Sequence, residues 1–372
     1  MKTKVITPHD GYEYFFGYYD LQPYDGEEKF HLAHRVAFLD RHPNAADVAE
    51  IGVIELATQR FIKLAETHSW NFQQGALLVW FESGKSVLFN DFDGEKHISR
   101  VVDMEGNELR RYDYPLGSVS ADRTKGLSIN FSRIHDFRKG YGYSNIKDPF
   151  YEENAPISDG IFLVDLVTGE GRLIASYADM AAAFSEEPFT NGKLVVNHIT
   201  FNPSGTAFVI LLRNFPVNTP KWGTVLAVGD LDGNFKKLTN FQVNSHYSFR
   251  GDGLVYIWSG LPEYGVYVFD TKTGERKLLH TPVTDKGDIH VNCSKSGDCF
   301  IGDGYVEAGG VRSIYRYDFA RERIEKLLSV YSVPVTDTDI RCDLHARFSP
   351  SEKYISYDTT ENGKREIVQI EL

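Results

Sequence analysis

The sequence predicts an all-β protein, a seven-bladed β-propeller of four-stranded antiparallel blades whose ring is closed by the N-terminal strand. Three observations predict it. Four histidine-led segments repeat at blade length, each is followed by strand, turn and strand, and the composition suits strands joined by tight turns. The 372 residues include 25 Phe, 21 Tyr and 32 Gly, and aromatic and glycine residues favour strands and turns respectively.

The repeat is carried by His198-Ile-Thr-Phe-Asn-Pro-Ser-Gly, His246-Tyr-Ser-Phe-Arg-Gly-Asp-Gly, His290-Val-Asn-Cys-Ser-Lys-Ser-Gly and His345-Ala-Arg-Phe-Ser-Pro-Ser-Glu, which align without gaps. Successive histidines are 48, 44 and 55 residues apart, the span of one four-stranded blade. Each segment reads as a strand and a Pro/Ser/Asp/Gly turn. A second apolar strand follows: TAFVILL, LVYIW, CFIG and YISY. Outer hairpins follow in turn, with D-x-x-T-G-E turns at Asp270 to Glu275 and Asp165 to Glu170.

The N-terminal half repeats the plan three more times. Inner hairpins are expected in GYYDLQPYDGEEKFHLAHR, ALLVWFESGKSVLFNDF and GSVSADRTKGLSINFSR, and three plus four makes seven blades. The last blade ends at REIVQIEL one strand short, and KVITP near the N-terminus is expected to supply it. One domain over residues 1–372 follows. A short helix is expected within 176–188, a long Tyr- and Pro-rich loop at 137–158, and an insertion in blade one at 40–52.

Charge and cysteine content restrict the partners. A formal net charge of −12 argues against nucleic acid, which needs a basic surface. Three cysteines give no disulfide framework. No apolar run is long enough for a membrane span or a secretory leader, so the expected location is cytoplasmic. The oligomeric state is left open.

In a propeller, the start of each inner strand and the end of each second strand meet at one mouth of the channel. His198, His246, His290 and His345 hold the first position; the corresponding residues of blades one to three are Tyr18, Leu77 and Leu116. Arg35, Arg133 and Arg213 hold the second position, and the loops at 40–50, 137–158 and 214–222 follow it. The expected site is therefore a pocket of imidazoles and guanidiniums walled by those loops. Imidazoles bind a divalent transition metal or act as general base. Asp343 shares a strand face with His345 and is a candidate ligand or orienting partner, with a turn or ladder cap as the plain alternative. Arg341 adds a cation, and arginines in such a pocket favour an anionic ligand. Tyr141, Tyr143 and Trp70 are expected to be exposed for stacking on sugar rings. No P-loop, nucleophile-elbow, H-E-x-x-H or dinucleotide fingerprint is present.

Over residues 195–372 these repeats, with Arg341-Cys-Asp-Leu-His-Ala-Arg-Phe-Ser-Pro350, resemble the oligogalacturonate lyases, a family of seven-bladed propellers. The resemblance implies a lyase acting by β-elimination on an acidic, uronate-containing oligosaccharide. It places His198 at the base, and His246 and His345 at ligands of a manganese-type ion. The family's last-blade pattern Q-x-x-H-x-H is altered: Ile340 stands at the Gln and Asp343 at the first His. The segments AHR (His34, Arg35) and WNFQQG (Trp70, Gln74) are similar to those of bacterial propellers linked to polysaccharide metabolism. Ulvan lyases share the architecture and pair His with Tyr and Arg.

The resulting candidates are His198, Arg213 and Tyr141 for catalysis; His34, Arg35, Trp70, Gln74, Arg133 and Arg341 for substrate; and His246, His290, His345 and Asp343 for a metal (Mn, Ca or Zn). Two other functions stay open. One is a non-catalytic propeller that binds sugar or protein, and the other a glycoside hydrolase using two of Asp20, Asp91 and Asp343.

Overall fold

A computed structural model of the protein describes residues 1–215, 223–279 and 287–372. It contains seven sheets of four antiparallel strands each. Six are built from four consecutive strands. The seventh takes Arg347–Phe348, Tyr354–Thr359 and Glu366–Glu371 from the C-terminus and Lys2–Val5 from the N-terminus. Lys2 pairs with Glu371 and Val5 with Val368, so the first strand is the outer edge of the last blade. The ring closes as the sequence predicts, and closure leaves only short protected edges.

Apolar side chains of second and third strands fill the spaces between blades, among them Leu211 and Leu226 in blade four and Phe300 in blade six. The helix expected at 176–188 is present at Tyr177–Ala183, started by a capping box between Ser176 and Asp179.

The N-terminal half departs from the expected plan at two places. The second strand of blade three ends at Ser128, and the segment carrying Arg133 is a helix (Phe131–Phe137) capped by Asn130. In blade one the inner strand pairs Phe15 with His34 and then, after a long excursion, Tyr24 with His31. Residues 16–23 have no strand partners and run into the axial channel as a plug. Asp358 accepts from the amides of Phe16 and Gly17, Arg347 donates to the carbonyls of Gly17 and Tyr18, and Asn292 donates to that of Tyr19. Gly17 has φ +126°, and a Cβ there would sit 2.8 Å from the Gln74 carbonyl oxygen. Only glycine fits.

Candidate functional site

The four histidines do converge, by three different backbone devices. His198 pairs with Leu211 directly after a bulge that leaves Asn197 unpaired, whereas in blade five His246 is itself the bulged residue. His290 sits in a regular ladder opposite Asp303. His345 precedes its strand with φ +45°, a left-handed conformation that side chains adopt at a cost of about 1–3 kcal/mol. Ring centroids are 6.4 Å apart for His198 and His246, 4.0 Å for His246 and His290, and 4.5 Å for His290 and His345.

Each of the last three imidazoles has its Nδ1 held by an acceptor. His246 Nδ1 is 2.8 Å from Asp288 Oδ1, His290 Nδ1 is 3.2 Å from Asp303 Oδ2, and His345 Nδ1 is 2.7 Å from the Gly17 carbonyl. Donation from Nδ1 fixes the neutral tautomer with its lone pair on Nε2, the arrangement that orients metal-binding histidines. His290 Nε2 and His345 Nε2 are buried and lack protein partners. One donor atom from each of His290, His345 and Asp343 lies within 4.8 Å of the other two. These residues fit a divalent cation with mixed nitrogen and oxygen ligands.

Asp343 is also pinned between two arginines, 2.7 Å from Arg312 Nη1 and 2.7 Å from Arg341 Nη2. Burial alone would raise its pKa, but Arg341 and Arg312 hold its carboxyl well below the usual range. Burial likewise opposes ionisation of Asp303, yet His290 brings it to about 2. Burial lowers His246 to about 4 against the pull of Asp288. At His290 burial is outweighed by Asp303, Asp343 and Asp288, and the pKa rises.

His198 occupies a different electrostatic half of the site. Tyr18 Oη lies 3.0 Å from its Nε2, and the Gln74 amide donates to its Nδ1 at 2.9 Å. Burial first, then the charge of Arg213, with His246 and Arg138 adding, holds its pKa well below the ordinary value. The loop at 137–158 covers this half as expected. Arg138 donates to Asp339 at 2.8 Å and lies 4.5 Å over the Tyr141 ring, Arg341 donates to Tyr141 Oη at 3.4 Å, and Tyr141 packs edge-on against His198. The loop at 40–50 joins it through His42 and Asp337, at 2.8 Å. Of the loop at 214–222, residues 216–222 lie outside the described residues.

Four expected substrate contacts lie elsewhere. Arg35 is paired with Glu50 and Asp10 and lies over the Tyr12 and Phe61 rings, because the blade-one strand turns its side chain away from the channel. Arg133, on a helix rather than a strand end, is fully buried against Asp148 and four backbone carbonyls. Trp70 is buried with Phe15, Phe38 and Phe72, its Nε1 donating to Asp47. His34 accepts from the Ala76 amide and packs on Gly75, supporting the turn that presents Gln74. Tyr141 and Tyr143 are buried rather than exposed. The carboxylates weighed for hydrolysis have separate partners: Asp20 Thr200, Asp91 Thr67 and Arg100, Asp343 its arginines.

Several site residues escape a reading by strand position. Tyr19, in the plug, packs on His246, His290 and His345. Asp288 repeats the spacing of Asp343, since D-I-H at 288–290 matches D-L-H at 343–345. That match is visible in the sequence. Asp303, Arg312 and Arg138 come from cross-strand and loop contacts, and no local pattern marks them.

Beneath His198 an axial cavity of about 320 Å³ continues along the channel. Its lining includes Tyr18, Gln74, Asn197, His198, Asp20 and Thr200, together with exposed Gln22 and Ala121.

No protein-family model matches the chain, and no curated protein matches it. Among solved structures it is similar to an oligogalacturonate lyase in complex with manganese, at 17% identity and a TM-score of 0.70, covering 100% of this chain and 93% of the other. An oligogalacturonate lyase from Vibrio parahaemolyticus matches at 15% identity and a TM-score of 0.67, covering 99% and 93%. Prolyl endopeptidases match at 10% identity and a TM-score of 0.59, with 97% of this chain covering 47% of theirs. The chain has the seven-bladed fold that oligogalacturonate lyases share.

Proposed function

We propose that the protein is a polysaccharide lyase that cleaves an acidic, uronate-containing oligosaccharide by β-elimination. One observation carries the reading: a His290–His345–Asp343 ligand cluster stands beside a neutral histidine, His198, that is flanked by Arg213 and Arg138. His246 faces His290 and extends the ligand set. A cation held there, manganese as in the solved lyase complex or zinc or calcium, would supply positive charge against the C6 carboxylate.

The remaining steps belong to the chain's own side chains. Arg213 offers a second positive charge to the carboxylate. His198, neutral at working pH, takes the C5 proton at Nδ1 as the sugar displaces the Gln74 amide. Tyr18 Oη, already on Nε2, stabilises the imidazolium that forms. The C5–H electron pair becomes the C4=C5 double bond, the C4–O bond breaks, and Tyr141 protonates the departing oxygen. Arg341, which donates to Tyr141 Oη, stabilises the phenolate left behind.

Purified protein incubated with oligogalacturonates and glucuronate-containing oligomers, with and without added Mn²⁺, is expected to release products with the ultraviolet absorbance of a C4=C5 uronide. No such absorbance with any uronide rejects the lyase reading. Saturated reducing ends in its place would establish hydrolysis.

A further inference from the structure

Among the described residues the exposed aromatic side chains are all tyrosines: Tyr12, Tyr151, Tyr264, Tyr305 and Tyr331. Topology puts every one on the histidine side of the ring. Tyr12 precedes the inner strand of blade one, and Tyr151 lies between the second and third strands of blade three. Tyr264 precedes the third strand of blade five, Tyr305 follows the second strand of blade six, and Tyr331 ends its fourth. In an up-and-down blade these positions share one face, the face on which the inner strands begin. A single exposed aromatic is ordinary, but confinement of all five to one face marks a surface that meets a ligand.

Of the five, Tyr305 is the one that touches the imidazole and arginine cluster. Its ring centroid is 6.4 Å from that of His290, the Arg341 guanidinium stands 5.1 Å over the ring, and its hydroxyl donates to Asp288 Oδ2 at 3.4 Å. That last bond is long and does not account for the place of the ring. Arg341 covers one face, yet the residue remains 40% exposed, so the open surface belongs to the rest of the ring. An apolar ring body in water beside a polar, cationic site suits a guest with one flat apolar face. The C–H face of a pyranose is such a guest. Arg341 also donates to Tyr141 Oη at 3.4 Å, and so links Tyr305 to the group that meets the departing oxygen.

We infer that Tyr305 forms the subsite for the sugar ring that leaves with the C4 oxygen, by stacking on the C–H face of that pyranose. The inference rests on the lyase reading for which ring this is, while the stacking itself is a binding property that needs no turnover. Tyr305 is on blade six and His198 on blade four, so the stacked ring is a neighbour of the one whose C5 proton faces His198.

Isothermal titration of Mn²⁺-loaded protein carrying His198→Ala, which removes the proposed base, with D-galacturonate and with digalacturonate tests it. The disaccharide is expected to bind the more tightly. Adding Tyr305→Ala is expected to weaken digalacturonate about threefold to tenfold, the worth of one stacked ring, and to leave galacturonate within about twofold. Tyr305→Phe keeps the ring and should bind as the parent does, which assigns the effect to stacking rather than to the Asp288 contact. Tyr12→Ala, on a tyrosine that lies against Arg35 outside the site, should change neither affinity. No binding of digalacturonate, an affinity unchanged by Tyr305→Ala, an equal loss for galacturonate, or a loss matched by Tyr305→Phe would each overturn the assignment. Absence of elimination by the wild-type protein with this binding pattern intact would reject the lyase and leave a sugar-stacking subsite. Elimination by the wild type with digalacturonate affinity unchanged by Tyr305→Ala would reject the subsite alone.

Discussion

Tyr18 Oη stands 3.0 Å from His198 Nε2, while the Gln74 amide holds the other ring nitrogen at 2.9 Å. Because Gln74 donates, the neutral imidazole carries its proton on Nε2 and presents it to Tyr18. Tyr18→Phe keeps the ring that packs on Tyr19 and His345 and removes only this contact. With a uronide substrate, kcat is expected to fall by about a hundredfold while KM changes little. Steady-state kinetics reads the split, and an unchanged kcat would remove Tyr18 from the chemistry.

Asp343 is the only carboxylate within ion-pairing distance of Arg312 among the described residues, and it also pairs with Arg341. Asp343→Asn leaves the buried Arg312 guanidinium without its counter-charge and Arg341 with only Asp339, at 4.0 Å. Breaking a buried pair from one side costs about 3–5 kcal/mol. Urea denaturation should show a loss of that size, with the m-value retained. A change under about 1 kcal/mol would mean that water or another acceptor replaces the carboxylate.

The imidazole cluster makes a prediction that needs no substrate. Mn²⁺ or Zn²⁺ added to EDTA-treated protein is expected to raise the melting temperature. A concentration of 100 times Kd corresponds to about 2.7 kcal/mol. His290→Ala and His345→Ala should abolish the shift, and His198→Ala should retain it. An equal shift in all three variants would place the metal elsewhere.

Asp159 gives the fold a pH dependence of its own. Burial raises its carboxyl to about 6, against hydrogen bonds from Asn130 and the Gly160 amide. The folded state therefore holds this proton more tightly than the unfolded chain does. The contribution to stability is full below the unfolded value near 4 and is lost as pH rises through about 6. Asp159→Asn should flatten the stability profile between pH 4 and 6, read by thermal melts across that range. An unchanged slope would assign it to other groups.

The propeller was legible because its signal is repetition: four histidine-led segments at blade length and turns that announce their hairpins. Closure by Lys2–Val5 was legible because the last blade lacked one strand. The plug was not, since GYYDLQPY reads as an ordinary strand start and only its unpaired run between Phe15 and Tyr24 reveals the excursion. Arg133 was misplaced for a related reason. N-F-S-R continues the apolar alternation of the strand, but Asn130 caps a helix there. Arg35 occupies the expected strand position yet faces Glu50, because position along a strand does not fix the face that a bulged blade presents.

The plug has a consequence for the order in which the protein can be made. Residues 16–23 are made before the groups that hold them, Thr200, Tyr247, Asn292, Arg347 and Asp358, which lie 180 to 342 positions later. Contacts of such separation form slowly. The full set of partners that holds the plug therefore exists only once the final blade has been made, and the pocket that depends on the plug is completed late. A ribosome-stalled chain lacking blade seven would carry six blades' worth of sequence and no finished site.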